Sequence, residues 1–340
     1  MTTMQALVMH TVGEPRDVLR LETRPVPEPE AGQVRVRVQA APVHATDLHI
    51  LRGRYGYAPD LPAVLGMECV GIVDGLGEGV DGVALGQRVI TVGITGTWQQ
   101  YVLADAARVV AVPDEMSAST AAQLLTNPLT ALLLVTSELA VRPGEWLLQT
   151  AAGSTVGKLV LQLGRHVGFN TINVVRRRAA VEEILDLGGS EVVCTEDEDL
   201  RERVAAIAGD KGVHKAIDCV AGLLGADVFS SLAPGGEMIV YGALSTHRQT
   251  DADRLTLPLD ARSVIYGTKI VRGFWLYRWF SITPQEQTGA ALGDIFKLVA
   301  DGTIRIPEGQ RIGLTHFADA VRLAEAPGHG GKPLLALEDA

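Results

Sequence analysis

The stretch EWLLQTAAGSTVGKLVLQLG, residues 145–164, decides the fold. It opens as a short apolar strand, passes through a turn of small residues, and continues with Val156, Leu159, Val160 and Leu163 at helical spacing. Ala152, Ser154 and Gly157 occupy the three small-residue positions of a G-x-G-x-x-G turn, of which only the last glycine survives. Turns of Gly, Ala and Ser are common, so the motif alone specifies little. Its setting between a strand and a helix says more, because the helix N-terminus then aims unpaired N–H groups at a pyrophosphate. Ala152, Gly153, Ser154, Thr155, Val156 and Gly157 are therefore the candidate cofactor contacts.

Downstream, apolar strands alternate with helical segments, the pattern of βαβ units and a parallel sheet. Strands are expected at 145–151, 169–175, 190–195, 214–220, 236–242 and 269–275, which makes six, as in a complete doubly wound Rossmann sheet. Amphipathic helices are expected at 156–166 and 200–208, with Gly168, Gly188–Gly189 and Gly235–Gly236 as helix ends or turns. Upstream, alternating runs such as QVRVRVQA (33–40), broken by Pro25, Pro27, Pro29, Pro42, Pro59 and Pro62, indicate an irregular antiparallel barrel. A helix near 284–301 leads into a short β-rich tail. The expected organisation is thus a barrel domain from 1–126 and 278–340, and a dinucleotide-binding domain at 127–277.

The second strand ends in Arg176-Arg177-Arg178. An enzyme using NAD usually has an acidic residue there to bind the ribose 2′-hydroxyl, whereas guanidinium groups bond a 2′-phosphate. NADPH is the expected cofactor, with Arg176 and Arg178 as its selectors.

The 340 residues carry a net charge of −10 and include 47% hydrophobic residues and 37 glycines. The sequence pI is near 5.3 and the mean hydropathy is +0.18. Such a charge lends little bulk support to a basic face for nucleic acid, and a small-molecule partner fits better. The most apolar stretch, 121–141, is interrupted by Thr126, Asn127, Pro128 and Glu138, so no membrane span is expected. The opening MTTMQALVMHTVGEP has neither a secretory nor a transit pattern, and the cytoplasm is the expected location. Cys69, Cys194 and Cys219 show no C-x-x-C spacing and are expected to be buried hydrophobes.

HATDLH (44–49), GMEC (66–69) and TNPLTA (126–131) complete a resemblance, over nearly the whole chain, to the medium-chain dehydrogenase/reductases. The resemblance implies a GroES-like catalytic barrel beside the Rossmann domain. His44, Met67 and Asn127 stand where the zinc-dependent members hold the metal, and a thioether and an amide are poor zinc ligands. No catalytic metal is expected; the alternative is a new site built from His44, His49 and Glu68.

Within the zinc-free branch, RGRYGYAPDLPAVLGMECVG (52–71), TINVVRRR (171–178) and RGFWL (272–276) resemble the 2-enoyl thioester reductases. That resemblance implies reduction of a C=C bond, with hydride to C3 and a proton to C2, and nominates Tyr55 as proton donor with Tyr57 as its rival. It further implies an acyl channel walled by Phe274 and Trp275, nicotinamide-end roles for Asn127 and Thr130, cofactor contacts at Tyr241 and Lys332, a place in fatty acid metabolism, and a homodimer. Trp98, Trp146 and Trp279 are expected to do no more than pack. NADPH:quinone or general enone reduction is the alternative, and a non-catalytic NADPH-binding protein is the remote one.

Overall fold

The computed structural model describes residues 2–246, 256–326 and 331–338. The chain forms two compact units, one of Met1–Thr126 with Ile306–Ala340 and one of Asn127–Arg305.

The second unit is built on six strands: β1 (Trp146–Gln149), β2 (Asn170–Val175), β3 (Glu191–Cys194), β4 (Lys215–Asp218), β5 (Glu237–Val240) and β6 (Ile270–Gly273). They lie in the order β3-β2-β1-β4-β5-β6, and every pairing is parallel. All six fall within the expected segments. Leu147, Leu148, Ile172, Val174, Val193, Ala216, Ile217, Met238 and Ile239 are buried whichever face they point to. Burial on both faces explains why these strands read as apolar runs rather than alternations. The strand order reverses between β1 and β4, where a doubly wound sheet opens a crevice at its carboxyl ends.

The helix Leu200–Ala208 matches its expected bounds, and Thr155–Val167 exceeds its own by one residue at each end. Gly168, at φ 91°, ends the latter in the left-handed conformation that glycine adopts without a Cβ clash. The return to the first unit falls at Ile306 rather than at the expected 278. The helix Gln285–Ala300 buries Leu292, Ile295 and Leu298 within the second unit. Beyond it, the Gln162 amide accepts from the Arg305 N–H (2.7 Å) and donates to the Arg305 carbonyl (3.2 Å), which ties this return segment to the helix Thr155–Val167.

The first unit centres on the strand Gln33–Pro42, which pairs antiparallel with Val70–Leu76, Tyr101–Asp105 and Leu334–Ala336. The QVRVRV alternation buries Val34, Val36 and Val38 and turns Arg35 outward, where it pairs with Asp74 at 2.9 Å and covers the Tyr101 ring. Leu334 lies opposite Pro42, so the C-terminal strand completes the N-terminal sheet as expected. Trp98 is fully buried and donates its indole N–H to the Pro42 carbonyl (3.1 Å). Trp146 packs on the core of the second unit, and Trp279 meets Phe280 edge-on at 5.4 Å. All three cysteines are buried and free. Among the described residues, no helix is long and apolar enough to cross a membrane.

Candidate active site

At the carboxyl end of β1 the chain turns through Ala151, at φ 49°, and the Ser154 N–H bonds back to the Ala151 carbonyl (2.8 Å). Ser154 is the N-cap of the helix Thr155–Val167, its hydroxyl accepting from the Gly157 N–H (3.1 Å). A Cβ on Gly157 would sit 2.5 Å from the Ala152 carbonyl oxygen, so only glycine lets the helix approach the strand this closely. The surviving glycine of the motif is therefore the one that packing demands. Gly153 is exposed at the tip with nothing within 4 Å of a notional Cβ, Ser154 and Thr155 are half-buried, and Ala152 and Val156 are buried. The exposed tip leaves space where a pyrophosphate would meet the helix N-terminus.

The three arginines after β2 are all exposed but not equivalent. Among the described residues, neither Arg176 nor Arg177 has an ion-pair partner. Arg178 is held by Asp197 through a short ion pair, and its backbone N–H bonds Glu196 (3.1 Å).

At the switch point, the buried carboxylate of Asp218 accepts the Thr150 hydroxyl (2.6 Å) and the N–H groups of Val220 and Ala221 (2.9 Å each). Burial raises its pKa, while the Thr150 and backbone hydrogen bonds pull it down. Nothing local in HKAIDCV marks this network, which includes Ala221 at φ 57°; an aspartate closing an apolar strand before Cys-Val-Ala-Gly is its only trace. The Tyr241 hydroxyl is buried beside the Cys219 thiol and, among the described residues, has no oxygen or nitrogen partner. Burial pushes that thiol up to about 12, so it is inert. Asn127 and Thr130 are buried one turn apart on the helix Thr126–Leu133, and among the described residues the Asn127 side-chain nitrogen has no hydrogen-bond partner. A buried orphan donor is expensive unless a ligand satisfies it. Phe274 and Trp275 follow β6 half-buried, and Trp275 stacks on Tyr277 at 5.1 Å.

In the first unit, Tyr55 and Tyr57 are both half-buried in the loop after the helix Ala45–Leu51 and pack against the hydrophobic core. Nearby burial encloses a polar cluster. His44 Nε2 lies 2.6 Å from Glu68 Oε1, and Glu68 Oε2 accepts the N–H groups of Leu125 (3.0 Å) and Thr126 (2.9 Å). Asp47 accepts the His44 N–H (2.8 Å) through one oxygen, and among the described residues its other oxygen has no hydrogen-bond partner. Lys332 is half-buried and interacts electrostatically with both Glu68 and Asp47; burial lowers its pKa and the two carboxylates raise it. Sequence reading considered Glu68 only as a metal ligand, but both its oxygens are engaged.

The zinc fit fails on this chemistry. His44 faces a carboxylate, Met67 offers a thioether, and Asn127 offers an amide. Among the described residues no group of three or more His, Cys, Asp or Glu is placed to hold a metal ion.

Burial pushes Asp47 up to about 6, against the opposing pull of His44 and Lys332. The unfolded carboxyl titrates near 3.8. Ionising it in the fold therefore penalises stability by nothing below about pH 4, by a growing amount through pH 6, and by the full amount above. Asp47→Asn, whose amide oxygen still accepts the His44 N–H, should stabilise the protein by on the order of 2–3 kcal/mol at pH 8 and by almost nothing at pH 4. Thermal unfolding at the two pH values checks this; an equal effect at both would show that the charge plays no part.

Two family profiles match the chain: alcohol dehydrogenase GroES-like domain over residues 30–114, and zinc-binding dehydrogenase over residues 155–292. The mitochondrial enoyl-[acyl-carrier-protein] reductase of Xenopus tropicalis is 30% identical over 339 residues, covering 97% of this chain and 95% of that protein. The enzyme of the same name from Rattus norvegicus is 29% identical, covering 95% and 86%. Among solved structures, a putative NADPH:quinone reductase from Bacillus thuringiensis superposes with a TM-score of 0.91 at 29% identity over 99% of both chains. Escherichia coli quinone oxidoreductase complexed with NADPH gives 0.87 at 25% identity, over 98% of this chain and 100% of that one.

Proposed function

The chain belongs to the medium-chain dehydrogenase/reductases of the enoyl reductase and quinone oxidoreductase type, and on that premise we propose that it reduces the C=C bond of α,β-unsaturated 2-enoyl thioesters with NADPH. The observation that carries the reading is Arg176, exposed and, among the described residues, without an ion-pair partner, immediately beyond β2, where the ribose 2′ substituent of a dinucleotide would fall. The full-length likeness to enoyl reductases supports that substrate class.

The residues present fit the cofactor. Gly157 admits the close helix, the helix N-terminus would take a pyrophosphate, Arg176 would take the 2′-phosphate, and Asn127 holds a donor that is unsatisfied among the described residues. When bound, NADPH supplies hydride to C3 of the enoyl thioester. Tyr55 donates the proton to C2, the part a positioned side-chain O–H can play toward a developing carbanion. Tyr57 lines the same loop. Asn127 and Thr130 donate to a carbonyl oxygen, Tyr241 borders the cofactor crevice, Phe274 and Trp275 wall the acyl channel, and Lys332 contributes its charge. Zinc has no part in the step.

NADPH:quinone reduction is the second reading, favoured by the 0.91 superposition on a quinone reductase. The two are separated by following NADPH oxidation against crotonyl-CoA, a long enoyl-CoA and a quinone, with NADP+ plus an alcohol as control. Activity confined to the quinone would overturn the thioester reading. We also propose a homodimer through β6, where Ile270 is half-exposed at the sheet edge and Ile265 and Tyr266 of the helix Ala261–Tyr266 stand in solvent. A cytoplasmic location in fatty acid metabolism completes the proposal, although the relatives' names are mitochondrial.

Arg176→Ala should weaken NADPH binding by roughly 1.5–3 kcal/mol, the usual contribution of a charged hydrogen bond, and leave NADH almost unchanged. Michaelis constants for both cofactors measure it, and an unaltered ratio would refute the assignment.

A further inference from the structure

We propose that Asp197 sets how tightly the second unit holds a 2′-phosphorylated dinucleotide, by claiming the Arg178 guanidinium and placing a negative charge beside the phosphate's landing point. The inference rests on the NADPH reading above. β2 and β3 are adjacent and in register, Val175 opposite Cys194, so residues 176–178 and 195–197 leave the sheet side by side at its carboxyl edge. The segment after β3 is an acidic run of Glu196, Asp197, Glu198 and Asp199.

Two of those carboxylates serve their own loop and helix. Asp199 caps the helix Leu200–Ala208 by accepting the Glu202 N–H (3.0 Å), and Glu198 accepts the Cys194 N–H (2.8 Å) and pairs with Arg203 (2.8 Å). The other two reach across to the arginines. Glu196 takes the Arg178 N–H (3.1 Å), and Asp197 takes the guanidinium, with Glu198 a further 3.9 Å ion-pair contact. The Arg178 hydrogen bond holds the Asp197 carboxyl below the usual carboxylate range, so the competitor is ionised throughout the neutral range.

Both partners are about half-exposed, at 54% and 50%. Water screens such a pair, which makes it weak enough to be exchanged for a doubly charged phosphate. An arriving 2′-phosphate nevertheless meets one guanidinium already neutralised and an anion beside it. NADH, lacking that phosphate, meets neither obstacle. Asp197 therefore acts on the choice between the two cofactors and not on dinucleotide binding in general.

The test is fluorescence titration of the intact protein with NADPH and NADH at low ionic strength. Asp197→Asn should tighten NADPH about three- to tenfold, what one unit charge exerts on a nearby dianion through water, and leave NADH unchanged. In ~0.5 M salt the gain should fall below twofold, because screening shortens the reach of the charge. In an Arg178→Ala background it should shrink by half or more, because the claimed guanidinium is gone. A normal wild-type preference for NADPH that Asp197→Asn leaves unmoved, or that it weakens, overturns the proposal alone. A wild-type chain with no preference for NADPH, indifferent to Arg176→Ala, overturns the cofactor reading and this inference with it.

Discussion

Tyr55→Phe is expected to lower turnover of crotonyl-CoA by about 10²- to 10⁴-fold, the range over which a positioned proton donor acts. Hydride addition at C3 leaves negative charge on C2 and the thioester oxygen, and the reaction completes only when C2 is protonated. Phenylalanine keeps the ring that packs on the core of the first unit, so that packing is retained. A quinone behaves differently. Its reduced oxygens take their protons from water, and quinone turnover by the same variant should stay within a few-fold of wild type. Initial rates of NADPH oxidation with both acceptors, and with Tyr57→Phe as companion, decide the matter. Undiminished crotonyl-CoA reduction by Tyr55→Phe, with loss in Tyr57→Phe, would transfer the role to the neighbour. Loss in neither would remove the tyrosine loop from the chemistry.

The second large effect is on stability. Glu68→Ala should destabilise the first unit by about 3–5 kcal/mol, because it strips a buried carboxylate from three groups at once. Glu68 is 2% exposed and His44 3%, so water cannot replace what is lost to the imidazole or to the Leu125 and Thr126 amides. Such a loss is a large fraction of a typical folding free energy and corresponds to a fall of roughly 10 °C in melting temperature. Glu68→Gln offers a contrast. Its amide oxygen can accept both backbone N–H groups while its NH₂ donates to His44 in the other neutral tautomer, so most of the stability should return. Calorimetry of the two variants measures this. Equal losses in both would mean that the charge, and not the hydrogen-bond pattern, holds the cluster together.

Asp47 belongs to the same cluster and shows why it escaped notice in the sequence. His44 and Glu68 lie 24 residues apart, and the text of HATDLH and GMEC records only that metal-binding chemistry has been lost. It does not record what occupies the same space. In the fold, Glu68 reaches the backbone at residues 125 and 126, so a residue suspected of ligating a metal turns out to hold the chain.

Local physics made the rest legible. Strands buried on both faces must be apolar throughout, and a helix packed hard on a strand must begin with small residues. β1 to β6 and the turn at Gly157 could therefore be read directly, and Arg176 followed from its place after β2. The return at Ile306 could not be read, since the amphipathic helix Gln285–Ala300 announces an apolar face without naming the unit that will cover it. Nor could Arg178 be told from Arg176. Side by side in the sequence they are the same cation, and only the meeting of β2 with β3 gives one of them a carboxylate nineteen residues away. Periodicity and residue size act along the chain and are written in it; the partner a charge finds is decided when distant segments come together.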